Sequence, residues 1–452
     1  MPENRCVQGI WTSPWLFILA ASGSAVGLGN IWKFPYMVGE NGGGAFLFVY
    51  LLCMLFVGLP VLIAEVALGR SVRANPIDTI NDLHERHIIN KAWVLVPYLA
   101  GLAGFLVLSF YSVIAGWALA FFERSLKGVF TETDEVQTQS VFQELISSPS
   151  EMMLWHSVFV VLVILAVGQS VTRGLAVLVK VLLPSLVLML LGLSVYSVLV
   201  GDLDQTLSFL FSWKWNQITP NVVLAAVGHA FFSLSIGMGG MFAYAAYMSK
   251  HMSIARACSI VVGVDTLVAI LAGLVVLPLV FALNINVDTG PSLTFISLPV
   301  AFGSLPGGQL VGSVFFLLLI LAALTSAISM LELFVSWLHE RFYISRLKAS
   351  LLLGVGVWLL GFASLLSLND WSDWTVFGYV LFDLLDKFTS LILLPVVALL
   401  LSVLVALNIP RSRLENELIT RNPKHFKWWY NVLKFFSIPI MLVITITGWI
   451  GV

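Results

Sequence analysis

The sequence turns on Gly23 to Tyr36, GSAVGLGNIWKFPY, inside the first hydrophobic segment. That segment runs from near Pro14 to about Val38. At about 1.5 Å per residue it is long enough to cross a hydrocarbon core of about 30 Å. Gly23, Gly27 and Gly29 weaken helix at its middle, Asn30 follows, and Lys33 and Pro35 come soon after. Backbone exposed to lipid must keep its hydrogen bonds, so a break at that depth belongs inside protein or against a watery cavity. Carbonyls opened there can hold a cation, and the N-terminus of a half-helix can hold an anion. Small residues also let helices pack closely, and the glycines alone suit either reading. The asparagine and lysine after them favour a site.

Composition sets the class. Of 452 residues, 59% are hydrophobic and 10% charged, with a mean hydropathy of +0.98. A soluble chain would carry roughly a quarter charged residues, so this is an integral membrane protein. A net charge of -1 points to neither nucleic acid nor an acidic partner. Cys6, Cys53 and Cys258 fall within spans or on the expected cytoplasmic side and give no disulfide framework. There is no N-x-[ST] acceptor, and the N-terminus leads into a long span rather than a cleaved signal. These features suit a bacterial-type inner membrane protein.

Hydropathy gives eleven spans, near 14–38, 43–70, 92–124, 151–169, 175–200, 217–249, 255–283, 309–339, 347–367, 374–407 and 428–451. Arg73, Arg86, Lys91, Lys250, Arg256, Arg341, Arg346, Lys348 and the basic group from Arg411 to Lys427, Arg421 included, fall in alternate loops. Glu132, Asp134, Glu135, Glu144, Asp202, Asp204, Asp288, Asp370 and Asp373 fall in the others. The positive-inside rule then puts the N-terminus in the cytoplasm, and the odd span count puts Val452 outside. No soluble domain interrupts the chain. One internal echo does appear: span 1 breaks at SAVGLGN and span 6 at Ser233 to Gly239, SLSIGMG, five spans later. Glycine-interrupted segments at matching positions of two halves point to a transporter's binding site, although a chance pair of glycine-rich helices reads the same way.

Polar residues in costly places follow. Glu65, Asp265 and Glu332 lie within spans 2, 7 and 8. An acidic side chain at the membrane centre costs about 2.5–3.5 kcal/mol, so each should face the interior with a partner. Asp265 suits either a hard-cation ligand or a helix–helix hydrogen bond. Glu65 is expected to brace orphan N–H groups at the span 1 break, and Glu332 is left open. Lys33 and Asp386, near the outer ends of their spans, suit an ion pair or separate snorkelling to water. Thr325 and Ser326 put hydroxyls on an apolar helix, where such groups often bond the preceding turn. His229 reads as a satisfied core histidine. Gly174 and Pro184 mark two weak points in span 5, which an ordinary kink would explain.

Together, GSAVGLGNIWKFPY (23–36), ENGGGAF (40–46), EVALGR (65–70), FFSLSIGMG (231–239), GPSLTFISLP (290–299) and ALTSAIS (323–329) carry a resemblance. The chain resembles the neurotransmitter:sodium symporters from Trp11 to its end, and bacterial amino-acid members with eleven spans above all. The resemblance implies an all-α membrane protein with an inverted-repeat, leucine-transporter-like fold and broken helices 1 and 6. It implies a single domain over 1–452, with one repeat at about 14–200, the second at about 217–407 and an extra helix at about 428–451. The ligands it implies are an amino acid and two sodium ions, moved across a lipid bilayer without any cofactor.

By the same resemblance, the first sodium takes Ala25, Asn30, Ser233 and Asp265, together with the substrate carboxylate. The second takes the carbonyls of Gly23, Val26 and Ala322 and the hydroxyls of Thr325 and Ser326. The substrate is expected along Ser24 to Gly29, that is Ser24, Ala25, Gly27, Leu28 and Gly29, with its carboxylate at the Gly27–Gly29 backbone and Tyr111. Its side chain is expected among Val107, Phe232, Ser233, Ser235, Met238, Ser326 and Met330. Lys33 with Asp386 would gate the outside, with the Phe232 and Tyr111 rings as an aromatic lid. Inside, Glu340 and Tyr247 stand at gate positions, but the family's arginine is replaced by Gln8, and the nearest arginine is Arg5. The family usually has Arg where Lys33 stands. The Gly174/Pro184 spacing matches bacterial members whose span 5 unwinds towards the second sodium. Animal members have Asn at the position of Asp265 and use chloride; here the carboxylate would supply that charge and is a candidate to take a proton on the empty return. A sodium-driven symporter is the leading reading. A proton-coupled carrier of this fold and a binding-only sensor remain alternatives. Channel and enzyme are disfavoured: there is no continuous polar lining and no nucleophile with its base.

Overall fold

Proline placement shapes much of the helical framework. The computed structural model describes residues 11, 13–212, 215–287, 290, 292–418 and 423–450, and among these the regular elements are helices. Six of the seven π-wound segments among the described residues end two residues before a proline: Gly29–Lys33 before Pro35, Met54–Gly58 before Pro60, Leu293–Ser297 before Pro299, Phe388–Leu393 before Pro395, Leu404–Asn408 before Pro410 and Leu433–Ser437 before Pro439. A proline lacks the N–H owed to the carbonyl four residues earlier and crowds that carbonyl, so the turn before it widens. The carbonyl left free by Pro60 is that of Phe56. Ser437 Oγ donates to it at 2.7 Å and pins span 11 to span 2.

Nine helices are long and apolar enough to cross a membrane among the described residues. They are Gly44–Val72, Lys91–Leu126, Pro149–Val167, Ala176–Val200, Ile254–Ala282, Gly308–Phe342, Arg346–Leu366, Leu381–Asn408 and Lys424–Thr447, which are spans 2, 3, 4, 5, 7, 8, 9, 10 and 11. Span 1 is a bent pair, Trp15–Ala25 and Gly29–Glu40, at 47°. Span 6 is split into Pro220–Ser233 and Gly240–Ala245. Span 3 packs along span 8, span 5 along span 7, and span 4 along span 9, while the two broken helices pack chiefly against spans 2, 5, 7 and 8.

Two expectations need correction. Span 10 starts at Leu381 rather than near 374, because Trp371 to Tyr379 turns back on itself through a Val376–Tyr379 bridge despite its aromatic character. Span 5 is not unwound between Gly174 and Pro184: it is π-wound over Val171–Leu175 and α-helical onward through Pro184. Arg5, Cys6, Gln8, Asp288, Pro291, Arg421 and Val452 lie outside the described residues.

Candidate functional site

The break in span 1 opens carbonyls, and hydroxyls from two other spans meet them. Val26 leaves the helix in extended conformation (ψ 104°). The Ser24 carbonyl accepts from Ser235 Oγ and from Ser326 Oγ, each at 3.0 Å. The Val26 carbonyl accepts from Ser326 Oγ at 3.3 Å and Thr325 Oγ1 at 3.4 Å, and Thr325 also donates to Ala322 O at 3.0 Å. A Cβ added to Gly23 would lie 3.6 Å from the Thr325 side chain. Val26, Ala322, Thr325 and Ser326 therefore form an all-oxygen cluster without a formal charge, with Gly23 at its edge. Hard cations suit such a donor set.

A second oxygen cluster lies on the other side of the same break and carries a charge. Ser233 Oγ is 2.9 Å from both oxygens of the buried Asp265 carboxylate. Asn30 Nδ2 donates to Asp265 Oδ1 at 2.8 Å, to Asp265 O at 3.1 Å and to Ser233 Oγ at 3.0 Å. Asn30 Oδ1 accepts from the Gly27 N–H at 3.0 Å, so one amide ties the break to span 7. Ala25 is buried at the end of the helix Pro14–Ala25.

Between the clusters lies the stretch Gly27–Leu28–Gly29. The Leu28 N–H donates to Tyr111 Oη at 3.2 Å. A Cβ on Gly27 would meet Ser326 Oγ at 2.3 Å and Tyr111 Oη at 3.0 Å, and one on Gly29 would meet the Phe232 ring at 3.1 Å. Only glycine lets spans 3, 6 and 8 approach this backbone so closely. Val107, Phe232, Ser235, Met238 and Met330 are all buried, none more than 6% exposed. Ser24 Oγ donates to Ser329 Oγ at 2.7 Å. Towards one end, Lys33 Nζ stands 4.7 Å from the centre of the Phe232 ring and 3.3 Å from Asp386 Oδ1, which also accepts from Ser390 Oγ at 3.1 Å. The site is shut on that side.

The other end is closed by different residues. Trp11 donates from its backbone N to Tyr247 O at 3.0 Å and from Nε1 to Tyr244 O at 3.4 Å, with edge-on ring contacts to both tyrosines. Glu340 accepts from Asn75 Nδ2 at 2.6 Å rather than from a basic group, so among the described residues it stands in no ion pair. Glu332 takes that part instead: Arg346 grips it through Nη1 at 3.0 Å and Nη2 at 2.5 Å. Arg346 also donates to the carbonyls of Val167 and Gln169 at the end of span 4.

Glu65 braces the span 6 break, not the span 1 break as the sequence reading expects. Its carboxylate accepts from Gly237 N at 3.3 Å and Phe242 N at 3.2 Å. The cause is local: Ser235, Gly237 and Gly239 all adopt positive φ (53°, 79° and 77°), which ends one half-helix and leaves the N–H groups of the next unpaired. His229 is a core histidine, packed at tilted angles among the rings of Phe34, Phe46 and Tyr50, but neither ring nitrogen has a hydrogen-bond partner among the described residues. Sequence reasoning missed Tyr50, whose hydroxyl donates to Asp265 Oδ2 at 3.3 Å. Tyr50 and Glu65 are fifteen residues apart, about four turns of one helix, so both can face the interior. It also missed Gly104, where a Cβ would meet Met330 O at 2.8 Å and Met238 O at 3.2 Å.

Comparison with known proteins settles the class. A model of the "Sodium:neurotransmitter symporter family" matches residues 8–141 and 136–451. The chain belongs to that family. It is 35% identical over 457 residues to the sodium-dependent transporter YhdH of Bacillus subtilis, covering 100% of this chain and 99% of that one. A sodium-dependent transporter of Haemophilus influenzae is 30% identical over 455 residues, with 99% and 100% coverage. The solved structure of MhsT in complex with L-phenylalanine superposes with a TM-score of 0.91 at 36% identity, over 98% of this chain and 100% of that one. This symporter-family chain is thus a multi-span, all-α membrane transporter with the leucine-transporter-like fold, and not an enzyme.

Proposed function

We propose that this chain carries neutral hydrophobic or aromatic L-amino acids by alternating access, driven by two sodium ions and without chloride. The observation that carries this reading is the Asp265 carboxylate, fixed by Asn30, Ser233 and Tyr50 at the break of span 1. The first sodium takes Ala25, Asn30, Ser233, Asp265 and the substrate carboxylate. The second takes the uncharged oxygens of Gly23, Val26, Ala322, Thr325 and Ser326. A fixed anion close to the first buried cation lowers the electrostatic cost of the pair, since the interior screens charge weakly. Moving one charge through 100 mV releases about 2.3 kcal/mol, so two sodium ions per zwitterion drive strong accumulation.

The side-chain pocket supports the substrate class. Val107, Phe232, Met238 and Met330 offer apolar surface and no fixed charge, and methionine repacks readily around larger side chains. The solved relative MhsT was captured with L-phenylalanine. Lys33 with Asp386 and Phe232 serves as the outer gate; Trp11, Tyr247 and the Glu332–Arg346 pair serve the inner one, with Glu340 held by Asn75, on the cytoplasmic side of the cell membrane. The test is a panel of labelled amino acids binding the purified protein with sodium or with potassium. Sodium-dependent binding of leucine, phenylalanine or tryptophan is expected. Preferred binding of lysine, glutamate or an amine without a carboxylate contradicts the substrate class, and binding that follows pH but ignores sodium contradicts the coupling.

A further inference from the structure

A cavity of 1090 Å³ opens on the outside of the bundle where spans 1, 2, 7 and 11 meet. Its inner wall is apolar, formed by Ile18, Leu59 and Ile63. Its other wall carries His251, Arg256 and His425, and among the described residues no acidic side chain lines it. Arg256 is exposed and pairs with no carboxylate among the described residues. Trp15 and Trp428, 63% and 49% exposed, also line the opening, and Trp429 donates from Nε1 to Pro60 O at 3.0 Å, which holds span 11 in place beside it.

We propose that this cavity binds one acidic phospholipid, its phosphodiester against Arg256 and His425 and its acyl chains along Ile18, Leu59 and Ile63. Exposed tryptophans mark the level of the headgroups, where an indole sits with one side in hydrocarbon and one in water. Uncompensated positive charge beside an apolar wall at that depth matches a lipid with an anionic head. A peptide is a poor fit, because its backbone would lie unpaired against hydrocarbon. Trp15 and Ile18 belong to the half of span 1 before the break, so the lipid would rest against a part of the transport site's own helix. The inference rests on the basic ends of the spans facing the cytoplasmic leaflet, and not on which substrate is carried.

The test is native mass spectrometry of the full-length protein titrated with phosphatidylglycerol or with phosphatidylcholine of the same acyl chains. Wild type should retain one phosphatidylglycerol about fivefold or more tightly over phosphatidylcholine, and the double variant Arg256→Ala/His425→Ala should lose that preference. Arg256→Gln, a milder change, should lose part of it while sodium-dependent amino-acid binding, read on the same sample, stays intact. Inorganic phosphate at millimolar concentration should leave the lipid in place. Equal retention of both lipids, a preference that survives the double variant, or displacement by inorganic phosphate would each overturn the proposal.

Discussion

The two broken helices solve the same backbone problem with opposite chemistry. Span 1 exposes carbonyls, and neutral hydroxyls of Ser235, Thr325 and Ser326 donate to them. Span 6 exposes N–H groups, and the Glu65 carboxylate accepts from them. A hydroxyl can turn its proton away and offer a lone pair, so a cation can replace those hydrogen bonds without moving a side chain. A carboxylate on two buried N–H groups has no such freedom. One break is therefore built to exchange partners, and the other to keep them.

This contrast can be broken first at Glu65. Glu65→Leu should leave two buried N–H groups unpaired, at about 1–3 kcal/mol each, and lower thermal stability in detergent whether sodium is present or not. A variant of normal stability would make the two breaks alike. Next, Thr325→Ala with Ser326→Ala removes the exchangeable oxygens but keeps small apolar volume. The sodium concentration for half-maximal uptake should rise about tenfold or more, with stability nearly unchanged. An unchanged sodium requirement would return these hydroxyls to ordinary helix packing. Tyr50→Phe deletes one hydrogen bond to Asp265, worth about 1 kcal/mol, and should weaken sodium-dependent binding about fivefold. The smallest effect belongs to Lys33→Arg: a guanidinium can clasp Asp386 with two bonds where Lys33 makes one, so substrate release to the outside should slow about twofold.

Much of this was legible in the sequence because it depends on local interruptions of helix. The glycines around Ala25 and Leu28, and Ser235 with Gly237 and Gly239, announce both breaks, and Asn30, Ser233 and Asp265 stand out as polar residues on apolar spans. What the sequence does not contain is the angle at which spans meet. Glu65 reaches span 6 rather than span 1 because span 2 packs against Gly240–Ala245, which hydropathy cannot report. Tyr50 escaped notice because an aromatic residue in an apolar run reads as core until its hydroxyl finds Asp265. Glu340 reads as an ion-pair partner by position, whereas Asn75 from the helix Pro76–Glu85 region reaches it first. The Gly174–Pro184 stretch contains two helix-weakening residues, but Pro184 sits inside the continuous helix Ala176–Val200, and the irregular winding falls upstream at Val171–Leu175.

The central claim is that Asp265 supplies the negative charge that balances bound sodium. It is tested most directly by uptake into proteoliposomes with gluconate in place of chloride, for wild type and for Asp265→Asn. Wild type should transport equally well in both anions, while Asp265→Asn, which keeps the shape and one acceptor oxygen, should lose uptake or recover it only with chloride. Wild-type uptake that fails in gluconate, or an Asp265→Asn variant indifferent to chloride and as active as wild type, would contradict it.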